Sequence, residues 1–418
     1  MAAAASPSSS SAPSGPPPPL TWEECVRLAV KNSPDLQVAR EGVLNSDAVK
    51  RGAYSTLYPH IRISFGDTRN YQGPGLGVTE NYSTAYQEQV ALTQTIFDGF
   101  ATKGNIEQGK AQLSLAFATL DAQKAATSYA VKASFAQLLY AQALLGISRD
   151  VIDIREDAAR LVQRLYEGGQ EDKGAMLLSK ANYDKSVNDL EQARRTFALS
   201  GRQLAVAVGL SLPAPVAGKG ELLTGDPAPE SEADFDKLAL ATPSYYQRKA
   251  AVDAAAAGIT QANSGWYPTI TGGISAGRTG GQWPADAENW SAGISASYPL
   301  FNGGSTYFNV KAATASFRQT LAALASGNNA SAYTLAQAYY GLLNARDNVR
   351  IQQGLLDANL LRYRIAESLY KNGLMTFQDF NSIVDTYVSQ KKTTLTAQRD
   401  AVVAEATWEQ ARGLGAIP

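Results

Sequence analysis

The sequence predicts a mainly helical protein with a transmembrane β-barrel portion, in which two long antiparallel helical hairpins and four β-strands are arranged as an internal two-fold repeat. Three observations carry that expectation. The chain matches itself at a nearly constant displacement, two stretches of 67 residues contain no proline, and four short segments alternate apolar and small polar residues.

An internal repeat organises the chain. Ser33-Pro34 returns as Thr242-Pro243 and Tyr58-Pro59 as Tyr267-Pro268, each displaced by 209 positions. Phe97-Asp98-Gly99 then returns as Phe301-Asn302-Gly303, Leu165-Tyr166 as Leu369-Tyr370 and Gly209-Leu210 as Gly413-Leu414, all displaced by 204. The slip falls between Tyr-Pro and Phe-x-Gly, so that interval holds a loop able to absorb length. Beyond it the displacement is constant, as fixed register in a long helix pair requires.

Ala101 to Glu167 is rich in Ala, Leu, Gln and Lys, and Leu113, Phe117, Leu120, Val131, Phe135, Leu138, Leu145 and Ile152 fall mostly on helical spacing. A single helix of that length would run roughly 100 Å. Gly168-Gly169 breaks it, and a return helix is expected from about Met176 to Val208. The second repeat predicts the same from Ser305 to Lys371, with a break at Asn372-Gly373 and a return from Phe377 to about Arg412. Alanine-rich seams allow these helices to approach closely.

The intervals between Tyr-Pro and Phe-x-Gly have a period of two. Trp290, Ala292, Ile294, Ala296, Tyr298 and Leu300 alternate with small polar residues, and Ile270, Gly272, Ile274 and Ala276 do likewise. In the first repeat Ile61, Ile63 and Phe65 form one such run and Val90, Leu92 and Ile96 another. Each repeat thus supplies one hairpin, with Tyr86, Phe97, Trp290, Tyr298 and Phe301 expected at strand ends as an aromatic girdle. Four strands cannot close a membrane barrel, because every edge N–H and C=O must be paired in lipid. Several copies must therefore assemble; two would give a barrel filled by side chains, and three could leave a lumen.

The expected domains are a Pro/Ser/Ala-rich lead-in at 1–20, a first repeat at 21–210 with its β-hairpin near 60–97 and helical tip near 166–175, a linker at 211–233, and a second repeat at 234–418 with its hairpin near 269–301 and tip near 370–377. The lead-in has neither a basic start nor an apolar run, so it does not read as a signal peptide; a secretion signal is expected to have been removed from this sequence. No run of 18 consecutive apolar residues is present, which argues against a spanning helix.

Composition narrows function. Lys+Arg 37 against Asp+Glu 38 leaves a net charge of -1 and no footprint for nucleic acid. One cysteine, Cys25, precludes an internal disulfide and reads as a buried apolar residue of the first helix; one histidine, His60, sits at a strand entrance. No metal-ligand spacing, phosphate loop or nucleophile-base-acid set is present, so no catalytic residue, cofactor or metal is expected. Gly73-Pro74-Gly75-Leu76-Gly77 lies in a hairpin loop and precedes no helix. A soluble helical scaffold with a small β-cap is the competing class, and a need for detergent during extraction separates the two.

The ordered set Leu20-Thr21-Trp22-Glu23-Glu24, Asn32-Ser33-Pro34, Tyr58-Pro59, Phe97-Asp98-Gly99 and Tyr166-x-x-Gly169, followed by a second set ending Tyr370-x-x-Gly373, resembles the TolC family of outer-membrane channels across nearly the whole chain from about Leu20. The resemblance implies a homotrimer with a twelve-stranded barrel in outer-membrane lipid and a periplasmic helical tunnel. It also implies a periplasmic adaptor (membrane fusion) protein and an inner-membrane pump or ABC transporter as partners, in tripartite efflux or type I secretion. It places the adaptor-contacting tips at Tyr166, Gly168, Gly169, Tyr370, Gly373 and Leu374. It places the periplasmic constriction at Asp379, with Tyr370 beside it; the second acidic position of the family is Ser382 here, with Asp385 one turn beyond. The arginine–carboxylate lock of the family is replaced by Met375 and Ala175, so gating must differ.

Overall fold

The computed structural model describes residues 19–74, 81–210, 216–222 and 234–418. The expectations for the lead-in up to residue 18, for Gly75–Gly77 and for most of the 211–233 linker lie outside these residues. In chain order the elements are α1 (Trp22–Asn32), α2 (Pro34–Ala53), β1 (His60–Gln72), β2 (Asn81–Phe97), α3 (Ala101–Glu167), α4 (Lys173–Ala207), α5 (Phe235–Ala239), α6 (Pro243–Asn263), β3 (Thr269–Gly280), β4 (Ala287–Ser297), α7 (Ser305–Lys371) and α8 (Phe377–Ala411). Both proline-free rods are single helices of 67 residues. Contacts divide the chain into two compact units that cut across both repeats: Met1–Val38, Asp121–Thr242 and Ser331–Pro418 form one, and Ala39–Leu120 with Pro243–Ala330 the other.

In the first unit α1 is started by a reciprocal cap. The Thr21 hydroxyl accepts from the Glu24 N–H at 3.3 Å and the Glu24 carboxylate accepts from the Thr21 N–H at 2.9 Å, which satisfies two otherwise orphaned donors. Its inner face puts Cys25 and Ala29 into a core with Leu36, Val131, Leu138, Leu204 and Val208. Part of the expected linker belongs to that core. Val216 is buried, Leu20 pairs with Gly218 in a parallel bridge, and the Gln142 side chain both donates to the Gly218 carbonyl (3.0 Å) and accepts from its N–H (2.7 Å). A second core joins α5, α7 and α8 through Ala239, Leu335, Tyr339, Leu342 and Trp408. Half-buried Lys132 on α3 reaches Glu405 (3.0 Å) and Glu409 (2.8 Å) on α8.

α3 holds an 18-residue window of mean hydropathy 1.2, which the absence of an unbroken apolar run did not anticipate. Part of the apolar surface of α3 serves the interior of this unit, with Val131, Phe135, Leu138 and Leu139 in its core, whereas Leu115 and Phe117 are exposed.

The second unit contains one antiparallel sheet in the order β1-β2-β3-β4, so β2 and β3 join the hairpins of the two repeats and β1 and β4 are its edges. Register aligns Ile61 with Leu92, Ile274 and Ala292 in one row, and Ile63 with Val90, Ala276 and Trp290 in the next. This face is apolar and bare: Ile61, Ile63, Phe65, Trp290 and Ile294 are all strongly exposed. The opposite face is polar, with hydroxyl pairs Thr271–Ser295 (2.7 Å) and Ser275–Ser291 (2.9 Å) bridging β3 and β4. The first hairpin continues past the apolar band, because ladder hydrogen bonds through Tyr71 and Tyr82 persist where neither face is apolar. That extension corrects the expected position of Tyr86, which lies within β2 and not at its end.

Helix ends explain why the repeat keeps its register. Gly209 has a φ of +75° and Leu210 N–H bonds the Ala205 carbonyl at 2.9 Å; Gly413 and Leu414 do the same at φ +73° with Glu409. A Cβ on Gly209 would also stand 2.4 Å from the Asn32 carbonyl oxygen. Gly209→Ala should therefore lower unfolding free energy by about 2 kcal/mol or more. Gly146→Ala, on an open helical surface, should raise it by up to about 1 kcal/mol. Denaturation of the two variants in detergent checks both signs.

Candidate functional site

The two helical turns in the first unit are copies of one design. α3 ends with Gln170 N–H on the Leu165 carbonyl (2.8 Å) and Gly169 at φ +72°; α7 ends with Leu374 N–H on the Leu369 carbonyl (2.9 Å) and Gly373 at φ +71°. Only glycine enters that region freely, which accounts for both Tyr-x-x-Gly motifs. α4 is then capped by Asp172, which accepts from the Ala175 N–H at 2.9 Å. α8 is capped by Thr376, whose hydroxyl accepts from the Asp379 N–H at 3.2 Å and donates to the Asp379 carboxylate at 2.7 Å.

Between these turns lies a core of Val151, Ala158, Val162, Ala175, Ala366, Tyr370, Phe377, Phe380, Ile383, Val384 and Val388. Tyr370 is its largest fully buried side chain, at 2% exposure. Its ring stacks on Phe380 with centroids 4.7 Å apart and planes 9° apart, and its hydroxyl donates to Glu171 Oε1 at 3.2 Å. Burial, reinforced by the neighbouring Glu171 carboxylate, pushes the Tyr370 phenol well above its ordinary range. Tyr363 stacks on Tyr387 at 5.1 Å, and burial with the Glu367 charge raises its phenol to about 12. Both rings are neutral struts at physiological pH.

A polar network crosses the same region. Arg155 of α3, 7% exposed, donates to the Asn381 side-chain carbonyl at 3.1 Å and forms an ion pair with Asp385. Asn182 of α4 donates to the same Asn381 oxygen at 3.1 Å, and Asn381 donates onward to Asp385 at 3.1 Å. Further along α8, Lys391 reaches Asp150 of α3 at 2.7 Å and Lys392 reaches Asp189 of α4 at 3.1 Å. The helices of the first repeat are therefore tied to α8 by charge-assisted hydrogen bonds.

The sequence-predicted residues fall into three groups. Gly168, Gly169, Gly373 and Leu374 are exposed at the turns, Leu374 at 74%, with Tyr166 beside them at 36%. Tyr370 is interior, in contact with Phe380 and Glu171, and presents no surface at the turn. Asp379 is exposed and doubles as the α8 cap partner, whereas Asp385 is held by Arg155. Met375 packs against the core and Ala175 is buried within it, so neither forms an ion pair. Sequence reasoning missed Arg155, Asn182 and Asn381. A signal existed: Val151, Arg155, Ala158 and Val162 share one helical phase, and a charge in a buried phase needs a partner.

Two concavities open here. A groove of about 620 Å³ between α3 and α7 is lined by Asp157, Arg160, Arg164, Tyr363, Glu367 and Lys371. A larger one of about 1250 Å³ at the turns is lined by Asp172, Leu374, Thr376, Ser382 and Asp385 among others. No group of three or more His, Cys, Asp or Glu side chains suited to a metal occurs among the described residues. Cys25 is fully buried, and burial with the nearby Glu24 and Glu23 charges raises its thiol to about 12.

The model of the outer membrane efflux protein family matches residues 25–210 and 237–414, one stretch per repeat. The chain is 23% identical over 384 residues to the outer membrane efflux protein BepC of Brucella suis, covering 90% of this chain and 81% of BepC. Its fold is similar to that of CusC, a protein described as forming a transmembrane channel (TM-score 0.82, 18% identity, 94% and 92% of the two chains). It is equally similar to the outer membrane protein VceC of Vibrio cholerae (TM-score 0.81, 16% identity, 94% and 96%). The repeat, the sheet with its bare apolar face, the paired helical turns and the family match converge: the chain belongs to the outer membrane efflux protein family.

Proposed function

We propose that three copies of this chain join edge to edge, β4 of one against β1 of the next, to make a twelve-stranded barrel in the outer membrane. The helical hairpins then continue it on the periplasmic side as the exit duct for an inner-membrane pump and its adaptor. The observation that carries this reading is the sheet itself: exposed Ile61, Ile63, Phe65, Trp290 and Ile294 on one face, a hydroxyl-rich face behind them, and two unpaired edges. Water cannot cover the first, and lipid cannot satisfy the last. Closure around the polar face resolves both.

The repeat boundaries 21–210 and 234–418 are read as the two hairpin-bearing halves of one protomer. Tyr166, Gly168, Gly169, Gly373 and Leu374 are read as the adaptor-facing turns, with Tyr370 holding their shape from inside. Both small-molecule efflux and type I secretion fit this duct. In place of the family's lock, the Arg155–Asn381–Asp385 network is the tie that holds α8 against α3 and α4. Opening the tip requires breaking it. Asp379, exposed and without an ion-pair partner among the described residues, supplies the negative charge of the constriction; three copies near an axis would concentrate cations in a narrow passage.

Purified protein in planar bilayers should give single-channel currents that divalent cations block from the helical side. Asp379→Asn preserves the cap acceptor but removes the charge, so it should weaken that block, and unchanged block would remove Asp379 from the constriction. Asp385→Asn should raise the open fraction. Loss of a half-exposed ion pair worth about 1 kcal/mol shifts a two-state equilibrium roughly fivefold. Equal open probability in variant and parent would show that the Arg155 network is not the gate. Because both tip phenols are raised by burial, their stabilisation is complete below about pH 10, the unfolded value, and is lost as pH climbs toward the folded values. Thermal stability should fall more steeply above pH 10 in the parent than in Tyr363→Phe/Tyr370→Phe.

A further inference from the structure

Charge is distributed unequally between the two faces of the sheet. On the apolar face, Asp67, Arg69, Glu88, Arg278 and Glu288 all lie beyond the row of Ile63, Val90, Ala276 and Trp290, and Arg278 is paired with Glu288 at 2.7 Å. On the polar face the rows read His60–Thr93–Gly273–Gly293, Arg62–Ala91–Ser275–Ser291, Ser64–Gln89–Gly277–Asn289 and Gly66–Gln87–Thr279–Ala287. Among the described strand residues Arg62 is the one fixed charge on that face. It is exposed, two residues from the start of β1, and among the described residues no carboxylate pairs with it. Its cross-strand neighbour is Ala91, and the flanking positions on β2 are Gln89 and Thr93. Asp98, the carboxylate that follows β2, lies seven residues beyond Ala91 and accepts from both the N–H and the hydroxyl of Thr102 at the start of α3.

We infer that Arg62 forms a ring of positive charge inside the barrel near its helix-side end, setting a preference there for anionic solutes and for cargo bearing carboxylate, phosphate or sulfonate groups. The inference rests on the barrel reading above, but not on its register. Whatever the alignment of β4 from the next copy against β1, the polar face of β4 offers Ala287, Asn289, Ser291, Gly293, Ser295 and Ser297. None of these can neutralise Arg62. A guanidinium stays charged at any physiological pH, and a low-dielectric wall focuses its field into the lumen. The remainder of the lining is His60 together with Ser, Thr, Gln, Asn, Gly and Ala, and it contains no carboxylate among the described strand residues.

The test reads the local potential at Ser64, the next residue along β1 on the same face. Ser64→Cys is nearly isosteric, and Cys25 is 0% exposed and so gives no background. In full-length protein reconstituted in lipid, the rate of thiol modification is measured with an anionic (sulfonatoethyl) and a cationic (trimethylammonioethyl) methanethiosulfonate. At a separation of about 7 Å in screened water, the anionic-to-cationic rate ratio should fall about threefold on adding Arg62→Gln and about sevenfold on adding Arg62→Glu. Arg62→Lys should retain it. A reactive Ser64→Cys whose ratio is indifferent to position 62 overturns the role of Arg62 while leaving the barrel intact. An unreactive Ser64→Cys alongside a reactive Ile63→Cys reverses the two faces and overturns the barrel reading beneath it.

Discussion

An unpaired backbone amide in hydrocarbon is among the costliest defects a protein can carry, several kcal/mol for each group. β1 and β4 present two full rows of such groups at the edges of a sheet whose outer face is fit only for lipid. The rest of the molecule follows from that conflict. Each repeat contributes a hairpin, β2 and β3 stitch the hairpins together, and the two edges that remain can be satisfied only by other copies. The two rods are 67 residues each, and their displacement in sequence stays at 204 throughout, as a fixed helix register requires.

Much of this was legible beforehand because it depends on periodicity. The limits of α3 and α7 coincide with the rods expected at Ala101–Glu167 and Ser305–Lys371, because proline is absent between them and both ends are written in glycine. The strands were visible where one face is apolar and invisible where it is not. Hence the outer half of the first hairpin, through Asp67 to Gln72 and Asn81 to Tyr86, emerged only from the structure. The start of α4 at Lys173 was obscured by Gly174, a poor helix former that the Asp172 cap outweighs. The ordered stretch at 216–222 was also hidden, because its stability comes from a long-range bond to Gln142.

The tip divides in the same way. Glycines at positive φ announce themselves, so Gly169 and Gly373 were found. Tyr370 was found by resemblance, but its burial against Phe380 was not, because stacking between α7 and α8 depends on the angle at which the hairpin closes. Arg155, Asn182 and Asn381 come from three different helices and meet only in space. Met375 and Ala175 join the apolar core beneath the turns, while the charge-assisted bonds of this region run through Arg155, Asn381 and Asp385. The polar face of the sheet carries one fixed charge among its described strand residues, Arg62.

Edge pairing between copies is the claim on which all of this depends, and amide hydrogen exchange of the protein in detergent or lipid tests it most directly, with the mass of the particle measured alongside. The account predicts a particle of three chains in which the amides of β1 and β4 are protected as strongly as those of the interior strands β2 and β3. A single chain per particle, with the outward amides of β1 and β4 exchanging freely while β2 and β3 remain protected, would contradict it.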